Sequence, residues 1–336
     1  MAFFQGLNSQ VERDSALAAA LSGLKIQDKP AERKEQKTNT NEKVTTTYNS
    51  LQSIQNSLLV PEKIVLWKKC ASDLATQKIR KLGPKDVMKL SENLAAVAEF
   101  VYDLDLSYRT VSPQLMQFIA RSFPNLRKIN LSHCLIENDA IIPMQAFTKL
   151  EECDFSSTFL TGSTFDKLPR GIRRLKLCGC YKLTDASIAK LQDMQLEECD
   201  LSWTDITGSE LDKLSRGIKK LNLRGCKNLT DAAIAKLQGM QLEECQFCET
   251  PITGSEFDKL SRGIKNLDLY HCERLVDAAI AKLAGMQLEE CDLSWTEITG
   301  SELDKLSQGM KQLNLSKCNN LTADAKLQGM SAKIVR

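Results

Sequence analysis

Long apolar runs are missing from this chain, and so is a clear excess of charge of either sign. No apolar segment reaches the ~18 residues that a membrane-spanning helix requires, so we expect no membrane insertion. The chain carries 45 basic and 43 acidic side chains, which gives a formal net charge of +2. A charge so close to zero provides no general attraction to nucleic acid or to an anionic membrane. We therefore expect no nucleic-acid partner.

A basic segment at the start of an N-terminal apolar stretch is also missing. Glu12 and Asp14 precede the apolar residues 16–24, where a secretory signal peptide would carry lysine or arginine. We therefore expect no cleaved signal peptide.

Residues that support catalysis are scarce as well. The chain has two histidines, His133 and His271, and it has no phosphate-binding loop, nucleophile elbow or zinc-binding helix motif. The C-x-x-C sequence at Cys245 and Cys248 would place its two thiols on opposite faces of a strand, which does not suit a shared metal or a redox pair. The sequence predicts no enzyme, no metal site and no cofactor.

Repetition, by contrast, is abundant. Leucines and cysteines recur every 46 residues, and each 46-residue period divides into two related halves. Each half opens with the pattern apolar-x-x-apolar-x-apolar-x-x-Cys/Thr, whose residues we number from position one. Ten such units start at Val101, Leu126, Leu150, Ile172, Leu196, Ile218, Leu242, Ile264, Leu288 and Met310. A period in the twenties with apolar residues at positions one, four and six is typical of leucine-rich repeats.

The segment LNLRGCKNLTDAAIAKL (221–237) resembles the cysteine-containing class of leucine-rich repeats. That class is found in the substrate-recognition halves of F-box ubiquitin-ligase receptors and in repeat proteins of intracellular bacteria. The alternate units depart from it by placing threonine at position nine. The resemblance implies an α/β solenoid, a horseshoe of about ten repeats with a concave parallel sheet and convex helices. It also implies a partner-binding surface.

Most of the 12 cysteines fall at two repeat positions. Those at position four point into the core, and those at position nine are small groups able to donate to the backbone where the chain leaves the strand. Buried thiols of this kind behave as small hydrophobic side chains. So many free thiols favour a reducing compartment, namely a cytoplasm, or a host cytosol or nucleus if the chain is a secreted effector.

Four regions follow from the pattern. Residues 1–57 form a polar, disordered tail in this interpretation, 58–100 a small helical cap, 101–330 the repeat array and 331–336 a C-terminal tail. Within the tail, Leu17, Leu21, Leu24 and Ile26 could line a short helix that acts in docking, in binding a secretion chaperone or in nuclear export. Within the cap, the sequence LVPEKI (59–64) leaves open an F-box-like alternative, in which the chain is a substrate receptor of a ubiquitin ligase. In the array, both kinds of segment that return to the next strand, such as 206–214 and 229–237, are predicted to be helical.

Positions three, five and seven should face the concave surface, with position eight at its edge. Acidic units alternate there with basic or neutral ones, so neighbouring strands should carry ladders of opposite charge that support one another. Trp203 and Trp295 occupy position eight of units four strands apart, about 20 Å from each other. They are either anchors for a partner or rings that fold over the strand-exit turn.

We predict a monomeric, non-enzymatic scaffold that binds a partner protein on its concave face and acts as a secreted effector of an intracellular bacterium. The candidate partner-binding residues are Trp203, Trp295, Tyr108, Tyr270, His271, Glu198, Asp200, Arg224, Glu249 and Asp292.

Overall fold

The computed structural model describes residues 24–25, 102–108, 110–307, 309–322, 325 and 332–335. The chain divides into two compact units, Met1–Cys153 and Asp154–Arg336. None of the helices among the described residues is long and apolar enough to cross a lipid bilayer. The predicted cap, residues 58–100, lies outside the described residues, and so does its F-box-like alternative.

The first unit contains two small groups of strands. Strand β1 (Leu24–Lys25) pairs antiparallel with β2 (Asp103–Asp105), which pairs in parallel with β4 (Lys128–Asn130). Strands β3 (Thr110–Val111) and β5 (Leu135–Ile136) form a separate parallel pair. Helix α1 (Pro113–Ser122) packs against a 3-10 segment, Asn138–Ala146. Strand β6 (Glu152–Asp154) crosses the boundary between the units.

The second unit contains a parallel sheet with one three-residue strand per repeat. Its strands pair in sequence order and without a shift in register, so that position four faces position four throughout. The strands are β7 (Arg174–Lys176), β8 (Glu198–Asp200), β9 (Lys220–Asn222), β10 (Glu244–Gln246), β11 (Asn266–Asp268), β12 (Glu290–Asp292) and β13 (Gln312–Asn314). With β2, β4 and β6 they confirm the ten predicted units, each with its strand at positions three to five.

Two short strands lie where the sequence predicted tails. Strand β14 (Lys333–Val335) pairs in parallel with β13, so these residues continue the sheet and the expectation of a C-terminal tail is corrected there. Leu24, predicted to be disordered or part of a short helix, belongs to β1. In both places backbone hydrogen bonding to an open strand edge replaces the conformational freedom that the polar sequence suggested.

The return segments alternate between two forms, which corrects the prediction that both are helical. After the odd-numbered strands β7, β9 and β11 they contain α2 (Asp185–Ala189), α3 (Asp231–Ala235) and α4 (Asp277–Lys282). In the alternate units a single 3-10 turn replaces the helix, at Phe165–Lys167, Leu211–Lys213, Phe257–Lys259 and Leu303–Lys305.

An aspartate at the start of each short helix binds the return segment of the next unit. The Asp231 carboxylate accepts hydrogen bonds from the amides of Thr253, Gly254 and Ser255 and from the Thr253 hydroxyl, at 2.8–3.2 Å. The preceding repeat therefore holds the backbone just ahead of the 3-10 turn at Phe257–Lys259. Gly254 has a φ of +80°, and an added Cβ would lie 2.4 Å from that of Ala279. Asp185 and Asp277 bind the Thr-Gly-Ser sequences at 207–209 and 299–301 in the same way. We call this arrangement the aspartate clamp.

The cysteines are part of the core. None of the 11 described cysteines forms a disulfide, and all but Cys178 are buried. Each thiol at position nine donates to the position-six carbonyl of the preceding unit at 3.0–3.2 Å, and three of the threonines at position nine donate to that carbonyl in their own unit at 2.6 Å. Burial raises the pKa of Cys199, Cys245 and Cys291, and it raises the pKa of Cys272 to about 11. These thiols are protonated packing groups at neutral pH.

Candidate partner-binding surface

Position eight has the same unusual backbone in every unit. All ten residues at this position have a left-handed φ of 55–69°. Glycine tolerates this conformation, whereas a side chain there costs about 1–2 kcal/mol. Eight of the ten nevertheless carry a side chain. In the second compact unit, Asp154–Arg336, the position-eight residues form a row along the strand exits, which we call the ridge: Ser157, Gly179, Trp203, Gly225, Glu249, His271, Trp295 and Lys317.

Trp203 lies against the next repeat and remains 44% exposed. A Cβ added to Gly225 would lie 2.6 Å from its ring, so the glycine makes room for the indole. The Arg224 guanidinium and the Lys227 ammonium lie over the ring, at 5.9 and 5.7 Å from its centroid. Arg224 is itself bonded to Glu249 at 2.6 Å, and that hydrogen bond raises its pKa. The indole is therefore held in one orientation while much of its surface faces solvent.

Trp295 forms a second aromatic group on the ridge. It is 48% exposed, and His271 meets it edge-on with 6.1 Å between ring centroids. Tyr270 lies beside His271 at 5.8 Å, and the His271 Nε2 atom is 3.0 Å from a Glu273 carboxylate oxygen. The structure thus brings Tyr270, His271 and Trp295 together, and separately brings together Trp203, Arg224 and Glu249.

Tyr108 lies in the first compact unit, Met1–Cys153, and so it is not part of the ridge. It is the most exposed of the large apolar and aromatic side chains in the described part of the chain, at 74%. Its ring stacks on His133 with 4.5 Å between centroids and 2° between ring planes. Both residues occupy position eight of their repeats, so these two neighbouring repeats share the same kind of strand exit.

The charge ladders form as predicted. Position two carries the ion pairs Arg173–Glu197 at 2.7 Å and Lys219–Glu243 at 3.2 Å. Position three carries Lys220–Glu244 at 2.7 Å, and this hydrogen bond raises the pKa of Lys220. Exposed pairs of this kind contribute about 0–1 kcal/mol each. These pairs therefore contribute little to the stability of the fold, and their main effect is on the electrostatic potential of the sheet surface.

We call the surface formed by positions three, five and seven of β7–β13 the strand face. It contains two shallow grooves, one of about 190 Å³ that includes Glu198 and Asp200, and one of about 250 Å³ that includes Asp292. The Oδ1 atoms of Asp200 and Asp292 each accept from the amide two residues later, at 2.9 and 2.8 Å. Asparagine does the same at Asn222. Position five therefore stabilises the strand exit and also lines the face.

Cys245 and Cys248 show what the C-x-x-C sequence does here. Both are buried, and burial raises the pKa of each thiol. Within the described residues no group of three or more His, Cys, Asp or Glu side chains is arranged to hold a metal ion. Cys245 packs as an apolar side chain, and the Cys248 thiol is hydrogen-bonded to the Asp268 carboxylate.

Two features of the surface were missed in the sequence. One is Lys227, which covers Trp203 and donates to the Glu249 carbonyl at 2.9 Å; nothing in the repeat pattern distinguishes it. The other is the left-handed position eight, which Gly179 and Gly225 at the same repeat position could have indicated.

The fold and surface define a class of protein, the cysteine-rich leucine-rich-repeat solenoid. The chain is similar to the TLR13–ssRNA13 complex, with a TM-score of 0.56 and 19% identity over 72% of this chain and 36% of that chain. It is also similar to two proteins of Listeria monocytogenes. The first is internalin inlF, with a TM-score of 0.47 and 16% identity over 73% and 88% of the two chains. The second is internalin C2, with a TM-score of 0.42 and 19% identity over 67% and 84%.

At these identities the likeness concerns the fold alone. No family model matches the chain, and no curated protein sequence matches it.

Proposed function

We propose that this protein is a scaffold that binds a partner protein through the ridge and the adjoining strand face, and that it is not an enzyme. The observation that carries the proposal is the presence of Trp203 and Trp295, half exposed, at a left-handed backbone position. The units before and after that of Trp203 have glycine at the same position, Gly179 and Gly225. A tryptophan that is costly for the backbone and exposed to solvent contributes little to folding, whereas exposed tryptophans are frequent hot spots in protein interfaces.

The spacing of the two tryptophans suits a protein partner. They lie in β8 and β12 repeats, four strands apart, which corresponds to about 19 Å. A small molecule does not span that distance, but one face of a small domain does. Because Arg224, Lys227 and Gly225 hold the Trp203 ring in place, little side-chain entropy would be lost on binding.

The buried cysteines support the non-enzymatic part of the proposal. A thiol attacks substrates as the thiolate. Burial raises the pKa of Cys199, Cys245, Cys248 and Cys291, so these groups are poor nucleophiles at neutral pH.

Affinity capture with the full chain tests the proposal. We expect the double variant Trp203→Ala with Trp295→Ala to lose the proteins that the wild type captures, as quantified by mass spectrometry. The matched control is Phe159→Ala with Tyr181→Ala, which removes two exposed aromatic rings that contact each other at position ten, two residues beyond Ser157 and Gly179. Capture that survives in the tryptophan variant, or is lost equally in the control, contradicts the assignment of the ridge.

The resemblance to repeat proteins of intracellular bacteria extends the proposal to a secreted effector that meets its partner inside a host cell. Buried thiols that form no disulfide suit a reducing host cytosol. The test is a β-lactamase reporter fused to the chain and expressed in an intracellular bacterium, with cleavage of a fluorogenic substrate in host cells as the readout. Absence of cleavage, with a known effector as positive control, contradicts this extension and leaves the scaffold proposal in place.

A further inference from the structure

We propose that the strand face over β10–β13 binds an extended segment of the partner protein that carries lysine or arginine residues. This inference rests on the proposed function and specifies the chemistry of the partner. It follows from a comparison between repeats that share one backbone register but differ in charge.

The first difference is at position three. In the sheet register Glu198 lies between Arg174 and Lys220, which are both cationic. In the same register Glu290 lies between Asn266 and Gln312, which are both neutral. The two glutamates occupy equivalent positions, yet the flanking basic residues are replaced only around the second. Glu290 is also exposed, whereas Glu198 is partly buried.

The second difference is at position five. Asp268 and Asp292 are direct neighbours across β11 and β12. Like charges that face each other across strands are unfavourable. In the equivalent pairs along the sheet, one member is a neutral or basic residue, as for Asp200 beside Lys176 and Asn222. Both carboxylates accept the turn hydrogen bond of position five, but Asn222 and Asn314 make that bond without a charge, so the bond does not account for two negative charges side by side.

The two differences fall in one place. The groove of about 250 Å³ over β10–β13 is lined by Glu244, Gln246, Asn266, Asp268, Glu290, Asp292, Gln312 and Asn314 at positions three and five. Glu244 is paired with Lys220, so the net charge comes from Asp268, Glu290 and Asp292. No basic side chain lines this groove in the described part of the chain. Its complement is a cationic ligand.

The size and border of the groove indicate what form the cation takes. Three strand spacings of ~4.8 Å give about 14 Å, the length of roughly four residues of extended chain. Tyr270 and Trp295 lie along the same repeats, and aromatic faces next to carboxylates suit lysine or arginine side chains. Over β7–β9 the strand face instead carries Arg174, Lys176, Lys220 and Arg224 against Glu198 and Asp200. A basic segment is therefore favoured at one end of the face and disfavoured at the other, which fixes its position along the face.

The test uses fluorescence anisotropy with the full chain and a fluorescein-labelled (Arg-Ser)4 peptide, compared with (Glu-Ser)4. We expect the arginine peptide to bind the wild type and the glutamate peptide not to bind. The triple variant Asp268→Asn, Glu290→Gln and Asp292→Asn should weaken binding about tenfold or more, because several charge contacts are lost together. Asparagine already stabilises this turn at Asn222 and Asn314, so the variant should fold.

Two further variants sharpen the result. The matched control, Glu198→Gln with Asp200→Asn, removes carboxylates at the same repeat positions and should change the affinity less than about twofold. The double variant Asn266→Lys with Gln312→Lys places a lysine at position three of β11 and β13, as β9 has at Lys220. The added positive charges should weaken binding of the arginine peptide about tenfold. Equal loss in the control, binding of (Glu-Ser)4, or no binding of (Arg-Ser)4 at low salt overturns the inference.

The inference and the proposed function can fail separately. If the wild type self-associates in sedimentation velocity and the triple variant does not, the face belongs to a second copy of this chain, and the inference is wrong. If the tryptophan variant loses partner capture while the triple variant captures normally, the scaffold function is supported. The inference that a basic segment binds the strand face is then wrong.

Discussion

The aspartate clamps and the ridge belong to the same repeats but differ in how much they vary. The clamp is the same in three successive repeats, with Asp185, Asp231 and Asp277 each binding a Thr-Gly-Ser sequence. The ridge keeps one backbone conformation but changes its side chain at nearly every step, from Gly225 to Glu249 to His271. Positions that repeat unchanged hold the fold, and positions that vary on an unchanged backbone are free to carry recognition.

This comparison has a simple physical basis. Each repeat meets the same neighbour through the same contacts, so a structural requirement recurs with the period of the chain. A partner does not share that period. We therefore expect residues that contact a partner to depart from the repeat, as Asn266 and Gln312 do.

The largest expected effect is in the clamp. Asp231→Ala removes the acceptor for three backbone amides and one hydroxyl. We expect a loss of about 2–4 kcal/mol in the free energy of unfolding, because hydrogen bonds to a charged group are lost and the amides stay partly buried. Urea unfolding followed by tryptophan fluorescence measures it.

The control for the clamp is Asp205→Ala, which removes the same charge from an exposed loop position. Its stability should change by less than about 0.5 kcal/mol. If Asp231→Ala unfolds at the same urea concentration as this control, the clamp hydrogen bonds do not stabilise the fold. The distinction between clamp and ridge would then be wrong.

Much of the fold follows from the sequence, because the apolar residues at positions four and six fix where each strand lies and which face it buries. The alternating returns do not follow. Thr207 reads as a helix cap, but its amide and hydroxyl bind Asp185 of the preceding repeat, a contact that local propensity does not reveal. Strand β14 was missed because Ser331 stands where earlier units have an apolar residue at position one.

The candidate surface was predictable in part. The sequence placed Trp203 and Trp295 at one repeat position, and the structure adds that the backbone there is left-handed. The two interpretations of these rings prove compatible for Trp203, which covers Gly225 and is still 44% exposed. Partner binding by the ten candidate residues stays a prediction.

An intermediate effect is expected at position nine, which repeats as faithfully as the clamp. Burial raises the pKa of Cys272 from its ordinary value of 9.0 to about 11. The folded state thus holds the thiol proton more tightly, so this contribution to stability is complete below pH ~9 and is lost as the pH rises toward ~11. Two pKa units correspond to about 2–3 kcal/mol.

Urea unfolding at pH 8 and pH 10.5 measures the loss. Lysine side chains also titrate in this range, so the matched variant is Cys272→Thr, which cannot ionise and copies Thr250 of the preceding unit. We expect its stability to fall less between the two pH values than that of the wild type. An equal fall in both proteins would show that Cys272 does not carry this pH dependence.

The smallest effect on stability is expected on the ridge, where Trp203→Gly installs the residue that the next unit has at Gly225. Removing a side chain from a left-handed position gains about 1–2 kcal/mol, while the ring loses its packing against Gly225 and its contacts with Arg224 and Lys227. These terms oppose each other, so the free energy of unfolding should change by less than about 1 kcal/mol. Partner capture should nevertheless be lost. A large destabilisation in thermal unfolding would instead place Trp203 with the clamp, among the residues that hold the repeats together.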